Sequence, residues 1–370
     1  MRRIKIHLLQ FVEHWACEAA QRKGIVAFAR PFCDVRVLAS IAVALITLVK
    51  LAGPEPALKL APSLVARGER GAQVTSFACS PTGEYIATSS TNGRLTLRAP
   101  ANGWDIERFL DFRGYPMAVA FSPDGQSLAV VGVSRRLCVW DLNTQSKEPT
   151  KIIVLPIQST WRVLFSPDGQ SLVVTTYLDG TMLLCDLATQ RVRMVLHHPS
   201  PVTSIAFSPE GRYLAAAGNR DPSILIWDLQ ARAPRLSLED GPSVVRALAF
   251  SPDGTRLASA RSSEHHVCLW DLNTRKVCRA FVGHARSVNS VAFSPDGLLL
   301  ATAGNDGTLG LWTVATGERR VSLDGRATCL GTVAFSPDGR TLVLATGDDD
   351  DLRLWDVVKL LGGHRERTLR

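Results

Sequence analysis

The sequence predicts an all-β fold made of seven copies of one four-stranded unit, preceded by a separate N-terminal segment. The first observation is a tetrapeptide, Ser-Pro-x-Gly, whose serine recurs at Ser80, Ser122, Ser166, Ser208, Ser251, Ser294 and Ser336. The intervals are 42, 44, 42, 43, 43 and 42 residues, a phase too regular for coincidence. The second is that strand formers flank every copy. The third is bulk composition: 46% hydrophobic and 21% charged residues belong to a globular chain with ample core material. At 370 residues the chain exceeds one ordinary core, and a repeat array resolves that excess.

Within each repeat the tetrapeptide has the chemistry of a tight turn. Serine takes the first position, proline arrives with its φ already fixed, aspartate follows, and glycine is free to adopt positive φ. Five copies read Phe-Ser-Pro-Asp-Gly, beginning at Phe121, Phe165, Phe250, Phe293 and Phe335; the fourth carries Glu210 and the first drifts to Cys79-Ser80-Pro81-Thr82-Gly83. An apolar alternation such as Val288, Val291 and Phe293 precedes the turn, and a run such as Leu299–Ala303 follows it. These are two strands. A polar turn, Asn305-Asp306-Gly307, then leads to a third, Leu309-Gly310-Leu311-Trp312, while runs such as Lys276–Phe281 supply a fourth. Four antiparallel strands per 40 or so residues make a β-propeller blade, and seven repeats make seven blades.

Trp-Asp closes the third strand at Trp140-Asp141, Trp227-Asp228, Trp270-Asp271 and Trp355-Asp356; blade six has Trp312-Thr313, blade three Cys185-Asp186 and blade one Arg98-Ala99. In this dipeptide and its phase the chain resembles the WD-repeat family. The family's Gly-His element, ten residues before the turn serine, survives cleanly as Gly283-His284, with His198 at the matching place in blade four. The resemblance implies a buried network of His284, Thr302, Asp306 and Trp312 that stiffens blade six. Blade four offers His198, Asp221 and Trp227, but Ala216 stands where the hydroxyl would be. One such set per blade is the pattern of scaffolding, not of a catalytic constellation. Propellers of this family close by pairing a strand from one terminus with the blade built by the other. Here blade seven runs out of chain after Asp356, and the neighbourhood of Ser63-Leu64-Val65-Ala66 is expected to supply its outer strand.

The domain order read from these features is a basic region over 1–36, an apolar segment over 37–53, a linker over 54–62, the propeller over 63–360 and a basic tail over 361–370. Residues 4–20 carry Ile4, Leu8, Phe11, Val12, Trp15 and Ala19 at helical spacing, so the N-terminal region is expected to be helical. Val37–Val49 is uncharged for 13 residues, flanked by Arg36 and Lys50. That length suits a short uncleaved membrane anchor, a signal-peptide core, or an apolar helix packed on the propeller or a partner. The basic residues upstream favour a single pass with a cytoplasmic N-terminus. Eight cysteines without metal-ligand spacing sit more easily in a reducing compartment, so a cytoplasmic location is the alternative.

The formal charge is +8, but residues 1–53 hold eight Lys/Arg against three Asp/Glu, leaving only +3 on the remainder. A propeller so weakly basic is not built to grip phosphate backbones, and nucleic acid is not the expected partner. No P-loop, nucleophile elbow, Rossmann fingerprint or H-E-x-x-H motif occurs, so neither catalysis nor a cofactor is expected. Asp348–Asp351 lacks the spacing of a calcium loop, and His265-His266 lacks a third ligand, so no metal site is assigned. Trp161, Arg162, Arg246 and Arg286 lie a few residues before their turns and are the candidate rim contacts, being residue types favoured as interface anchors. The leading reading is a monomeric, non-enzymatic scaffold for a protein or peptide. The alternatives are an extracytoplasmic propeller like those of the Tol system and a propeller enzyme or sensor with a site at the central channel.

Overall fold

The computed structural model describes residues 62, 64–66, 74–99, 106–157, 159–176, 178–239, 241–325, 330–346 and 352–362. The chain divides into two units, Met1–Glu55 and Pro56–Arg370, and all described residues belong to the second. The helix expected over 4–20, the apolar run at 37–53 and the acidic turn Asp348–Asp351 lie outside the described residues. Among the described residues no helix is long and apolar enough to cross a membrane.

Seven four-stranded antiparallel sheets form a seven-bladed propeller. The first strands of blades one to seven are Val74–Cys79, Pro116–Phe121, Thr160–Phe165, Val202–Phe207, Val245–Phe250, Val288–Phe293 and Leu330–Phe335. Each contacts the first strand of its neighbours in cyclic order, and blade seven returns to blade one, so the first strands ring the centre.

The Ser-Pro turns explain how one blade is spaced from the next. In blade three the Ser166 hydroxyl donates to Asp168 (2.5 Å), the same Asp168 oxygen accepts the Gln170 amide (3.0 Å), and the Ser171 amide donates back to Ser166 Oγ (3.0 Å). The serine hydroxyl holds this circuit while being itself buried. All seven turn glycines have φ between 69° and 75°, a region that penalises a side chain. A Cβ on Gly169 would lie 3.5 Å from Pro123 Cδ of the preceding blade, and the same glycine-to-proline contact recurs at Gly211, Gly254, Gly297 and Gly339. The turns therefore gather on one rim, those of blades three to seven each leaning on the proline before it, whereas Gly125 of blade two faces Ser80 and Thr82. Gly83 of blade one has nothing within 4 Å of that position, so the contact is missing at the junction of blades seven and one.

Apolar packing lies between blades. Each of seven buried clusters draws on two adjacent sheets: Leu137, Val139 and Ile153 of blade two meet Val163, Leu172 and Leu183 of blade three, and Trp355 of blade seven packs into the cluster shared with Leu309 and Leu311 of blade six. The tryptophans that close third strands face the preceding blade, where Trp140, Trp312 and Trp355 are each 1% exposed.

Blade seven owns only three consecutive strands, and its outer strand is Leu64–Ala66. Leu64 pairs with Leu354, Val65 with Arg353 and Ala66 with Leu352. The expected closure by the N-terminal strand is thus present. A short helix, α1 (Val357–Gly362), follows and buries Val357 and Leu360. Deleting Leu64–Ala66 from the full chain exposes the edge of Leu352–Asp356. The expected cost is about 2 kcal/mol, or a Tm lower by roughly 5 °C, with aggregation on heating. Scanning fluorimetry with light scattering reads both, and an unchanged Tm would show that the clasp contributes nothing to closure.

Candidate functional site

Two groups of side chains drew attention in the sequence, a buried polar set and a set on the rim. In blade six the polar set is brought together. The Trp312 indole donates to Thr302 Oγ1 (2.8 Å), His284 Nε2 lies 2.7 Å from that oxygen, and His284 Nδ1 is 3.0 Å from Asp306 Oδ2. The consistent order of donors runs from indole to hydroxyl to imidazole to carboxylate. Asp306 also accepts the Ala285 and Thr308 amides, tying the turn before the first strand to the turn between the second and third. Burial alone would raise the Asp306 carboxyl, but hydrogen bonds from His284 and Thr308 outweigh it and hold the group well below the usual carboxylate range. The His284 side chain is 1% exposed.

The other blades show what each member contributes. In blade four Ala216 removes the hydroxyl and His198 Nε2 is buried without a partner. Desolvation lowers the His198 pKa, against opposing contributions from Ser200 and Asp221. In blade seven Leu344 holds the hydroxyl's place, and the Trp355 indole nitrogen is buried and unpaired. Blade five keeps the hydroxyl, Trp270 donating to Ser259 (2.9 Å), but has Gly241 where the histidine would be. There Arg261 is wholly buried, with Nη1 donating to Ser243 O (3.0 Å) and Nε 4.0 Å from Glu264 Oε2. Blades four and six have Gly218 and Gly304 at the position of Arg261. A Cβ on Gly304 would come within 2.6 Å of His284 Nδ1, so the glycine makes room for the imidazole. With no imidazole, an arginine fills that room. The sequence reading missed Arg261, because its role follows from an absence ten residues before the turn.

The rim set sits at the start of the first strands, on the rim opposite the Ser-Pro turns. Every first strand carries a β-bulge at the residue five before the turn serine: Thr75, Met117, Trp161, Thr203, Arg246, Asn289 and Gly331. A bulge frees one residue from the ladder and re-aims its side chain. Several of these side chains bridge to the next blade. Thr75 donates to Pro116 O (3.2 Å), Thr203 to Val245 O (2.9 Å), and Arg246 Nη1 to Asn289 Oδ1 (3.3 Å). Trp161 and Arg246 are thus members of one ring of bulges, and Arg162 directly follows a member. Arg286 lies apart, exposed in the turn before the first strand of blade six. Phase alone marks the ring in the sequence, since its residues share no chemical type.

The remaining nucleophile and metal candidates are the cysteines and the His265-His266 pair. Burial pushes the Cys79 and Cys185 thiols up to about 12 and Cys138 to about 11, so none is a thiolate at neutral pH. Among the described residues no group of three His, Cys, Asp or Glu could hold a metal. His266 instead contacts Glu264 at 3.4 Å.

The network yields two predictions. Thr302→Ala strands the His284 and Trp312 nitrogens and is expected to cost about 2 to 3 kcal/mol, whereas Ala216→Ser supplies a partner in blade four and is expected to add about 1 kcal/mol. Denaturant titration reads both, and equal effects in the two blades would contradict this account. Folding depresses the Asp306 carboxyl, so its contribution is present above its unfolded value of about 4 and is lost as pH falls toward the lower folded value. Asp306→Asn should therefore be less stable than wild type at pH of about 7, with the gap narrowing near a pH of about 3; a constant gap would oppose the assignment.

The WD40 family profile, described as "WD domain, G-beta repeat", matches residues 62–97, 110–141, 190–228, 234–271, 275–313 and 317–356. Six segments are matched, and the blade left out between 142 and 189 is blade three, whose third strand closes with Cys185-Asp186 in place of Trp-Asp. No curated protein matches the chain. With more than half of its residues matched and seven blades formed, the chain belongs to the WD40 family.

Proposed function

We propose that this chain is a non-catalytic scaffold that holds a protein or peptide partner on the rim opposite its Ser-Pro turns, with Trp161, Arg162, Arg246 and Arg286 as anchors. WD40 propellers typically bind protein partners, and the family supplies the general class. The observation that carries the specific reading is the bulge ring. It gathers Thr, Met, Trp, Arg, Asn and Gly at equivalent places around one mouth, whereas the opposite rim repeats nearly one tetrapeptide. Recognition requires side chains that differ from place to place, and the bulge rim supplies them. The polar groups that resemble catalytic machinery are buried within blades and engaged with one another. Tethering through residues 37–53 belongs to this proposal on sequence grounds alone, from the uncharged run between Arg36 and Lys50.

The test is quantitative affinity capture with the full chain beside a rim variant, Trp161→Ala/Arg246→Glu/Arg286→Glu, in lysate of the source organism. Proteins enriched on the wild type are expected to be lost from the variant, whose circular dichroism should be unchanged. Retention of the same proteins by the variant, or enrichment of none by the wild type, would overturn the reading.

A further inference from the structure

The residue four before each turn serine faces the neighbouring blade, and in six blades it is small: Ser76, Ala118, Ser204, Ala247, Ser290 and Thr332. Three of these serines fasten blade to blade, accepting the amides of Val119 (3.4 Å), Leu248 (3.0 Å) and Val333 (3.2 Å) on the next first strand. In blade three the same place holds Arg162. Its Nε donates across the junction to Thr203 O (3.3 Å), a single bond that leaves the two terminal guanidinium nitrogens without a hydrogen-bond partner among the described residues. Arg162 is half-buried, and burial pushes its pKa below the ordinary arginine value, yet it makes no ion pair among the described residues. A cation held partly out of water without a counter-charge is poised to take one.

The surroundings narrow what that counter-charge is attached to. Trp161 stacks near the guanidinium, with 5.8 Å from Cζ to the ring centre. Met117 occupies the adjacent bulge and is half-buried. Val133 donates its amide to Tyr115 O, and Thr160 donates its hydroxyl to Gly132 O, so the apolar turn residues of blade two adjoin the Trp161 strand. Tyr115 is 38% and Val133 58% exposed, and Leu178 of blade three, in the corresponding turn, is 71% exposed. Farther round the rim, Arg246 and Arg286 are exposed and also free of ion pairs among the described residues. One half-buried cation, an apolar arc beside it and outlying cations differ from a row of evenly spaced cations along a phosphate backbone.

Resting on the scaffold reading, we propose that Arg162, with Trp161, Met117 and Tyr115, forms a socket for a linear acidic peptide in which an Asp or Glu adjoins an aromatic or long aliphatic residue. The carboxylate takes the two terminal nitrogens of Arg162 as a bidentate pair, and the apolar neighbour lies across the Trp161 side of the mouth.

The test is selection of a phage-displayed library of random linear peptides on the full chain, followed by binding measurements with synthetic peptides from the enriched set. Arg162→Ser gives blade three the residue of blades one, four and six at that position, so folding is retained by design and circular dichroism checks it. Arg340→Ala, on the opposite rim, is the charge control. Enriched peptides are expected to carry Asp or Glu next to an aromatic or aliphatic residue. Their affinity should fall at least about tenfold with Arg162→Ser and be unchanged with Arg340→Ala, and replacing the peptide's acid by its amide should add no further loss on Arg162→Ser. Enriched peptides without an acid, equal binding by Arg162→Ser, no enrichment, or equal displacement by a mixed-sequence oligonucleotide would each overturn the proposal. If acid-free peptides are still lost from the rim variant, the scaffold reading survives that failure; if the rim variant keeps them, both readings fall.

Discussion

No blade of this propeller can bury its own faces. Each sheet is four strands of alternating side chains, apolar on both sides, and its faces leave water only when sheets stand against it on either hand. The seven apolar clusters each straddle two blades, so stability here belongs to junctions and not to repeats. The turn rim repeats one contact: in blades three to seven the glycine of one turn faces the proline of the one before, and its positive φ disfavours a side chain there. Buried polar networks are a second level of order within blades. Among the described residues blade six completes its network, blades four and seven retain orphaned nitrogens, and blade five substitutes a buried arginine whose Nε and Nη2 lack hydrogen-bond partners.

The architecture was legible because the constraint it answers is local and repeated. A turn that needs serine, proline and positive-φ glycine leaves a four-letter mark at fixed phase, and it marks even blade three, which the family profile passes over. The clasp was legible too, since blade seven lacked a fourth strand. The bulge ring was not, because a bulge asks for an extra residue and not for a particular one, and threonine, methionine and tryptophan serve equally. Arg162 and Arg246 were visible as candidate anchors, but the sequence could not show that Arg162 replaces small residues at a junction. Arg261 was invisible for a related reason: a buried arginine is accommodated by the lack of a histidine twenty positions away.

The two rims divide the work between regularity and variety. Where blades carry nearly identical turns, the surface repeats itself around the ring and offers any partner seven near-equivalent registers. Where the bulges lie, seven places carry six residue types, threonine occurring twice, and under the proposed scaffold reading that variety sets a partner's orientation. Breaks in a repeat are therefore the places where an otherwise uniform ring acquires an address.

The clasp joins the two ends of the described chain. Leu64–Ala66 is the earliest described strand to leave the ribosome, and its partner Leu352–Asp356 is among the last. For the whole of synthesis the first strand has no sheet to enter, and the six blades built in between accumulate as an open arc with an unpaired end. Closure is then a single late event that converts a chain of marginal neighbours into a ring. A chain whose translation stops before Leu352–Asp356 lacks the strand with which Leu64–Ala66 pairs, and the ring has no edge on which to close.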